Sequence, residues 1–234
     1  MRAAVECAGG EPVTALVRYQ CALLVRGHRW LAPAVLYAAI LAIGIRGGEP
    51  ALDSLGFAAA ALTPSAAWLV RICVGAEPDA ARACTVAARG AARTHLAALL
   101  AALAGALTLA LAGTGAVLAV SDPRSSDHEV RLDVLPTAAA GLTAAVSCAL
   151  LGVAVGALAN RPVLRGPARS VPATLIGALA VLVAGVSPAN AAVTGLVTGS
   201  RHGTVDLPLG PLALAAAVTA AAAAAACAVS GRRG

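Results

Sequence analysis

The chain has 234 residues, of which 59% are hydrophobic and 12% are charged. Ordinary soluble domains carry about 25% charged residues. A water-soluble fold cannot bury so much apolar surface, so the composition indicates a membrane protein. All 17 basic residues are arginines. Without lysine, the chain cannot contain a phosphate-binding GxxxxGK[ST] loop or form a Schiff base. The net charge of +6 forms no stripe of arginine interleaved with aromatic residues, so it does not indicate nucleic-acid binding.

Six apolar stretches follow one another along the chain. A bilayer core about 30 Å thick is crossed by about 20 mainly apolar residues in a helix. The candidate spans are residues 31–45, 52–73, 96–120, 136–158, 172–186 and 207–229, of which the first and fifth are short. The sequence therefore predicts an all-α, polytopic membrane protein with six transmembrane helices.

The arginines predict the orientation of these spans. Thirteen of the 17 lie in the two terminal segments or near the gaps after the second and fourth spans, all of which share one side of the membrane. The other four lie in the gaps after the first, third and fifth spans: Arg46, Arg124, Arg131 and Arg201. Because cytoplasmic segments carry the excess of basic residues, we expect both termini in the cytoplasm. The first thirty residues hold no sustained apolar core followed by a cleavage site, so the first span is expected to act as an uncleaved anchor.

Residues 12–29 are too polar to span a membrane but are patterned for a helix. At 100° per residue, Val13, Leu16 and Leu24 share one face, while Arg18 and Arg29 lie opposite. This pattern predicts an amphipathic helix in the cytoplasmic interface of the membrane, and an ordinary cytoplasmic cap on the first span is the alternative. The expected division is a cytoplasmic N-terminus over 1–30, a six-helix transmembrane domain over 31–229 and a cytoplasmic tail over 230–234.

The longest cytoplasmic gap, 74–94, predicts a second helix outside the membrane. Glu77 and Asp79 flank a proline, a combination typical of a helix start. Arg82, Arg89 and Arg93 follow at spacings that place them within roughly 40° of one another on a continuous helix. Such a basic face suits lipid headgroups or a cytoplasmic partner. A solvated loop that satisfies the positive-inside bias is the alternative.

The spans lack the residues that several function classes require. Residues 54–70, 96–120, 134–158 and 207–229 contain no Asp, Glu, His, Lys or Arg, whereas ion-coupled carriers and proton pumps keep such a side chain at membrane depth. The four histidines lie at span ends or in loops, and the adjacent side chains Asp127, His128 and Glu129 do not converge on a helix or strand. The six cysteines form no C-x-x-C pair and suit small buried hydrophobes. We predict no catalytic, cofactor-binding or metal-binding residue.

Two small-residue features predict how the helices bend and pack. Pro64, midway along the second span, predicts a kink. Gly152 and Gly156 form a GxxxG spacing, which allows two helices to approach closely.

Four segments resemble the permease subunit of bacterial ATP-binding-cassette transporters of the type-2 exporter class. They are VRYQCALLVRGHRWLAP, AAWLVRICVGAEPDAARAC, LLGVAVGALANRPVLRGP and SPANAAVTGLVTGSR, and the likeness covers residues 14–229. The resemblance implies a separate ATPase subunit that binds the nucleotide, so the chain itself needs no cofactor. It implies that residues 12–29 are a connecting helix and that residues 77–93 are a coupling helix. The implied ATPase contacts are Glu77, Asp79, Arg82, Arg89 and Arg93.

The resemblance also implies a setting in the bacterial cytoplasmic membrane, among lipids. A six-span chain would supply half of an export pathway, so it would form a homodimer or pair with a sister permease. The family often has short re-entrant helices between its last two spans, whereas residues 187–206 here form a short interval rich in small residues. Two other classes stay open: an intramembrane enzyme, and a membrane anchor or assembly protein that transports nothing. The sequence does not identify a cargo.

Overall fold

The structure is a computed structural model, and it describes residues 12–127, 129–161, 163 and 167–233. Residues 1–11 of the predicted N-terminal segment, as well as His128 and Arg165, lie outside the described residues. Within the described residues the chain is all-helical and forms nine helices. In chain order they are α1 (Pro12–Arg26), α2 (Leu31–Gly44), α3 (Ala51–Val74), α4 (Asp79–Arg89), α5 (Ala91–Val120), α6 (Val134–Ala159), α7 (Pro167–Val183), α8 (Pro188–His202) and α9 (Leu209–Arg233).

Four helices, α3, α5, α6 and α9, are long and apolar enough to cross a membrane. Helices α7 and α8 meet at 45° across a short break and make a fifth candidate span when taken together. Helix α2 is apolar but has only 14 residues, a length of about 21 Å at 1.5 Å per residue. The predicted all-α fold with several candidate spans is confirmed; by length and composition four to five helices qualify as spans, so the predicted count of six is not confirmed.

Helix α3 forms the centre of the bundle, and its most extensive contacts are with α6 and α5. The α3–α6 contact is close because α6 presents glycines to it. A Cβ atom at Gly152 would lie 2.5 Å from the carbonyl oxygen of Thr63, and one at Gly156 would lie 2.6 Å from Cβ of Val70. The GxxxG spacing therefore lies in a helix contact, as predicted. Helix α3 continues through Pro64 without interruption.

Helix α1 packs along α5. Its buried side chains include Leu16 and Leu24, whereas Arg18 is exposed, in agreement with the predicted amphipathic pattern. The helix ends at Arg26, so Arg29 lies in the turn that leads to α2. The apolar face that we expected to meet the membrane interface is thus largely covered by α5.

The bundle has two chemically different ends. The arginine-rich end comprises α4, residues 160 and 161 after α6, and the start of α7, where an Arg71 guanidinium nitrogen donates to the Ser170 hydroxyl at 2.8 Å. The acid-rich end comprises the connections 45–50, 121–133 and 203–208. There the Asp122 amide donates to the carbonyl of Glu49 at 3.0 Å. The Ala51 amide at the start of α3 also donates to the carbonyl of Asp122, whereas Arg71 lies in the last turn of α3, so the two ends are separated by the length of this helix and the charge segregation inferred from sequence is present in three dimensions.

The interval 187–206, which we described as a short stretch of small residues, contains the helix α8. Ser187 caps its start, because the Ser187 hydroxyl accepts from the Ala189 amide at 3.2 Å. Pro188 occupies the first turn, where a missing N–H costs nothing. Gly203 ends the helix with φ +64°, a left-handed conformation that glycine adopts without strain.

Candidate functional site

The short helix α4 lies between α3 and α5 at the arginine-rich end. It ends at Gly90, whose φ of +86° with ψ of 146° is a conformation open to glycine alone. The predicted helix over residues 77–93 is therefore present only over Asp79–Arg89, because Gly90 ends it and Arg93 lies in the first turn of α5. Arg82 and Arg89 both lie in α4, whereas Arg93 lies in another helix and therefore shares no helix face with them.

Arg82 connects α4 to the end of α3. The carbonyl of Val74, the last residue of α3, would normally accept from the amide of residue 78, but Pro78 has no N–H. A guanidinium nitrogen of Arg82 donates to this carbonyl at 3.1 Å instead. The positive charge also lies at the negative end of the α3 dipole. Arg82 thus holds α4 against α3, which differs from its predicted role as an external contact.

Glu77 joins α4 to α1. Its side chain is 7% exposed, and the Thr85 hydroxyl lies 3.1 Å from its Oε1. The same hydroxyl lies 2.9 Å from the carbonyl of Arg82, so it has two acceptors to choose between. Partial burial raises the pKa of Tyr19 in α1, and the charge and hydrogen bonding of Glu77 raise it further. Glu77 therefore faces inward between two helices and is not on the outer surface of α4.

The outer surface of α4 carries an exposed row of small apolar residues, which we call the alanine stripe. Its members follow at i, i+3, i+4, i+7 and i+8: Ala80, Ala83, Cys84, Ala87 and Ala88. The half-buried side of the helix carries Arg82 and Thr85 together with Ala81 and Val86. A helix at the water-exposed surface of a protein normally turns its apolar side toward the protein core. This stripe is thus an apolar surface of α4 that the rest of the described chain does not cover.

Charged side chains lie at both ends of the alanine stripe. Asp79 is 3.9 Å from Arg161, and these side chains are 96% and 65% exposed, so the ion pair contributes little to stability. Arg89 and Arg93 are exposed and make no side-chain hydrogen bond or ion pair with any residue that the structure describes. Of the five predicted contacts, Asp79, Arg89 and Arg93 are therefore accessible, whereas Glu77 and Arg82 are engaged inside the protein.

A groove of about 750 Å³ opens beside α8 and the start of α9. Its wall is mostly apolar but carries a row of polar side chains from α8, for which we call it the polar groove. Asn190, Thr194, Thr198 and His202, which recur every fourth residue on α8, line it. The opposite face of α8 is buried against α3 and α6. The Asn190 side-chain amide also donates to the carbonyl of Leu182 at 2.9 Å, across the break before α8. A polar helix face is costly to turn toward hydrocarbon, so this groove suits water, a ligand or another subunit.

A three-residue clamp closes the acid-rich end. The hydroxyls of Ser126 and Ser200 lie 3.0 Å and 3.1 Å from Oδ2 of Asp53, and 2.8 Å from each other. Ser126 belongs to the 121–133 connection, Ser200 to the end of α8 and Asp53 to the start of α3. The clamp therefore joins three parts of the chain. Ser200 is fully buried, and its hydroxyl is already engaged by Asp53.

No group of three histidine, cysteine or acidic side chains among the described residues is placed to hold a metal ion. The chain matches no protein-family model, no curated protein and no solved structure.

Proposed function

We propose that the chain is the permease subunit of an ATP-binding-cassette transporter of the type-2 export class. It forms part of the path of an exported substrate, while a separate ATPase subunit binds and hydrolyses ATP. The observation that carries this proposal is the alanine stripe on α4. Helix α4 is amphipathic, connects the two long apolar helices α3 and α5, and turns its apolar side outward. These are the features of a helix on which another subunit docks.

The attachment of α4 to the bundle supports a role in transmitting force. Arg82 binds Val74, the last residue of α3, and Thr85 lies within hydrogen-bond distance of Glu77 in the connection between α3 and α4. Glu77 in turn interacts with Tyr19 of α1. A displacement of α4 is therefore passed to α3, the helix with the most extensive contacts in the bundle. Docking would bury the stripe, while Asp79 and Arg89 would set the register through charge complementarity.

The energy source is placed outside the chain because the chain has none of its own. It contains no lysine for a phosphate-binding loop. In α5 the only ionisable residues, Arg93 and His95, lie in the first two turns, and the remaining helix is uncharged. Helix α6 holds no acidic or basic side chain, and in α3 and α9 such side chains lie only in the first or last turn, so these long helices offer a proton or sodium gradient no coupling site. The purified chain alone is expected to be inert with ATP.

In this proposal the chain spans the bacterial cytoplasmic membrane six times. Helix α2 makes the first span with its flanking residues, and α7 with α8 makes a bent fifth span. The arginine-rich end is cytoplasmic, as are both termini. Cysteine labelling tests this directly in a background without the native cysteines: Glu129→Cys should react from outside and Ala80→Cys only from inside. Both positions are exposed, whereas the outer serines Ser125 and Ser200 are buried and would not report.

A second permease completes the pathway in this proposal. Helix α9 is mostly exposed in the single chain, and the polar groove along α8 is open on one side. A homodimer or a pair with a sister permease would cover part of these surfaces and enclose the groove. The neutral amide and hydroxyl groups of Asn190, Thr194 and Thr198 would then line the path of the substrate.

Co-purification from native membranes tests the proposal. The tagged chain, solubilised in mild detergent, should retain a polypeptide that binds ATP analogues. Ala83→Glu and Ala87→Glu place charges in the alanine stripe and should remove that polypeptide. Ala168→Glu, an exposed alanine at the same end but outside α4, is the matched control and should not. An enzyme or an anchor that works alone would show no nucleotide-binding partner. Equal recovery with all three variants would place the partner elsewhere.

A further inference from the structure

The corner between α1 and α2 is tightly built. Four residues, 27–30, connect the helices, and the His28 amide donates to the carbonyl of Val25 at 3.3 Å while the Leu31 amide donates to the carbonyl of His28 at 3.1 Å. His28 has φ +52°, a left-handed conformation that is uncommon outside glycine. The corner therefore holds Arg26, His28 and Arg29 in a fixed relation to the apolar residues beside them.

An apolar cavity of about 230 Å³ lies under this corner, between α1, α3 and α5. Its wall includes Leu24, Val25, Trp30, Leu69, Gly105 and Leu109. Thr108 also lines it, but its hydroxyl donates to the carbonyl of Ala104 at 2.9 Å and is already satisfied. Val25 is 63% exposed and Trp30 is 37% exposed, so the cavity communicates with the outside of the bundle at these residues. An apolar cavity offers water no partners and suits a hydrocarbon chain.

Two uncompensated cations lie beside the exposed part of the cavity. Arg26 directly follows Val25, and Arg29 directly precedes Trp30. Both side chains are exposed, and neither makes an ion pair or a side-chain hydrogen bond within residues 12–127, 129–161, 163 and 167–233. Guanidinium groups bind phosphate through paired hydrogen bonds, which are strong because both partners are charged.

We propose that this corner is a binding site for an anionic phospholipid. One acyl chain occupies the cavity between α1, α3 and α5, and the phosphate is bound by Arg26 and Arg29. Charge complementarity selects a negative headgroup, because each arginine near an anionic surface favours association by roughly fivefold. The site requires that the chain lie in a membrane but is independent of any ATPase partner.

Fluorescence quenching by brominated lipids tests the site, because Trp30 lines the cavity and Trp68 does not. In the full chain with Trp68→Phe, brominated phosphatidylglycerol should quench Trp30 at a several-fold lower mole fraction than brominated phosphatidylcholine with the same acyl chains. Arg26→Gln with Arg29→Gln should remove this preference. Gly105→Leu should reduce quenching by both lipids, because the Gly105 Cβ direction points toward Leu24 and Leu69 at 3.5 Å and a larger side chain would fill the cavity.

Two controls separate this site from general attraction to a basic protein. Arg89→Gln with Arg93→Gln removes two exposed arginines away from the corner and should leave the preference at Trp30 unchanged. The chain with Trp30→Phe reports on Trp68 alone and should show no preference between the lipids. The proposal is overturned if Trp30 shows no preference, if the preference survives loss of Arg26 and Arg29, or if Trp68 shows the same preference.

Discussion

Arg82 provides a sharp test of how α4 is held, because α4 also carries a matched arginine with a different environment. The Arg82 guanidinium supplies the Val74 carbonyl with the donor that Pro78 lacks, at 3.1 Å. A hydrogen bond from a charged donor contributes about 1.5–3 kcal/mol, and partial exposure of Arg82 reduces this to about 1–2 kcal/mol. Arg89 lies exposed in the last turn of α4 and contributes about 0.3–0.5 kcal/mol through the helix dipole.

Hydrogen–deuterium exchange of the peptide covering residues 75–89 measures this difference. Local opening free energies set the exchange rate, so Arg82→Ala should accelerate exchange by roughly 5- to 30-fold. Arg89→Ala should accelerate it by less than about threefold. Arg82→Lys, which keeps a charged donor, should restore part of the protection. If Arg82→Ala and Arg89→Ala behaved alike, the guanidinium would not be capping α3, and the account of α4 as a helix fixed to α3 would be refuted.

Three further outcomes are expected. The phenol of Tyr19 should titrate above its usual pKa of 10.0, as measured by the absorbance difference between the chain and Tyr19→Phe. Glu77→Gln should lower that pKa. The protonated Tyr19 phenol contributes stability below about pH 10, and this contribution is lost as the pH rises through the raised pKa. Gly152→Val should lower the thermal midpoint, because overpacking costs about 1–3 kcal/mol, whereas Gly115→Ala, where no atom lies within 4 Å, should not. Asp53→Ala should speed proteolysis in the 121–133 connection, because the Ser126 hydroxyl of this connection lies within hydrogen-bond distance of the Asp53 carboxylate, which also binds Ser200 of α8; unchanged cleavage would contradict the clamp.

The sequence predicted the helices that hydrophobicity alone determines. Long uncharged stretches have few alternatives to a helix in an apolar setting, which is why the predicted segment 52–73 nearly coincides with α3 at Ala51–Val74. The spacing of Gly152 and Gly156 predicted a close helix contact, but it did not identify α3 as the partner. Helix α8 was overlooked although its signals were present: Ser187 with Pro188 at its start and Gly203 after its end.

The orientation of α4 could not be read from its residues. Charged side chains are expected to face outward, yet Arg82 turns inward because Pro78 leaves a carbonyl without a donor, and the alanine stripe turns outward as a result. The clamp was equally inaccessible, because Asp53 and Ser200 are 147 residues apart in sequence. Such contacts follow from tertiary packing, which a periodicity of 3.6 residues does not encode.

Site-specific photocrosslinking from the alanine stripe tests the central claim most directly. A photoreactive residue at Ala83, introduced into the full chain in its native membrane, should capture a polypeptide that contains a phosphate-binding lysine loop and binds ATP. The same residue at Glu129, at the acid-rich end, should not capture it. Capture from Ala83 alone would support docking of an ATPase on α4. Capture of no ATP-binding polypeptide from Ala83, or equal capture from Glu129, would contradict the proposed function.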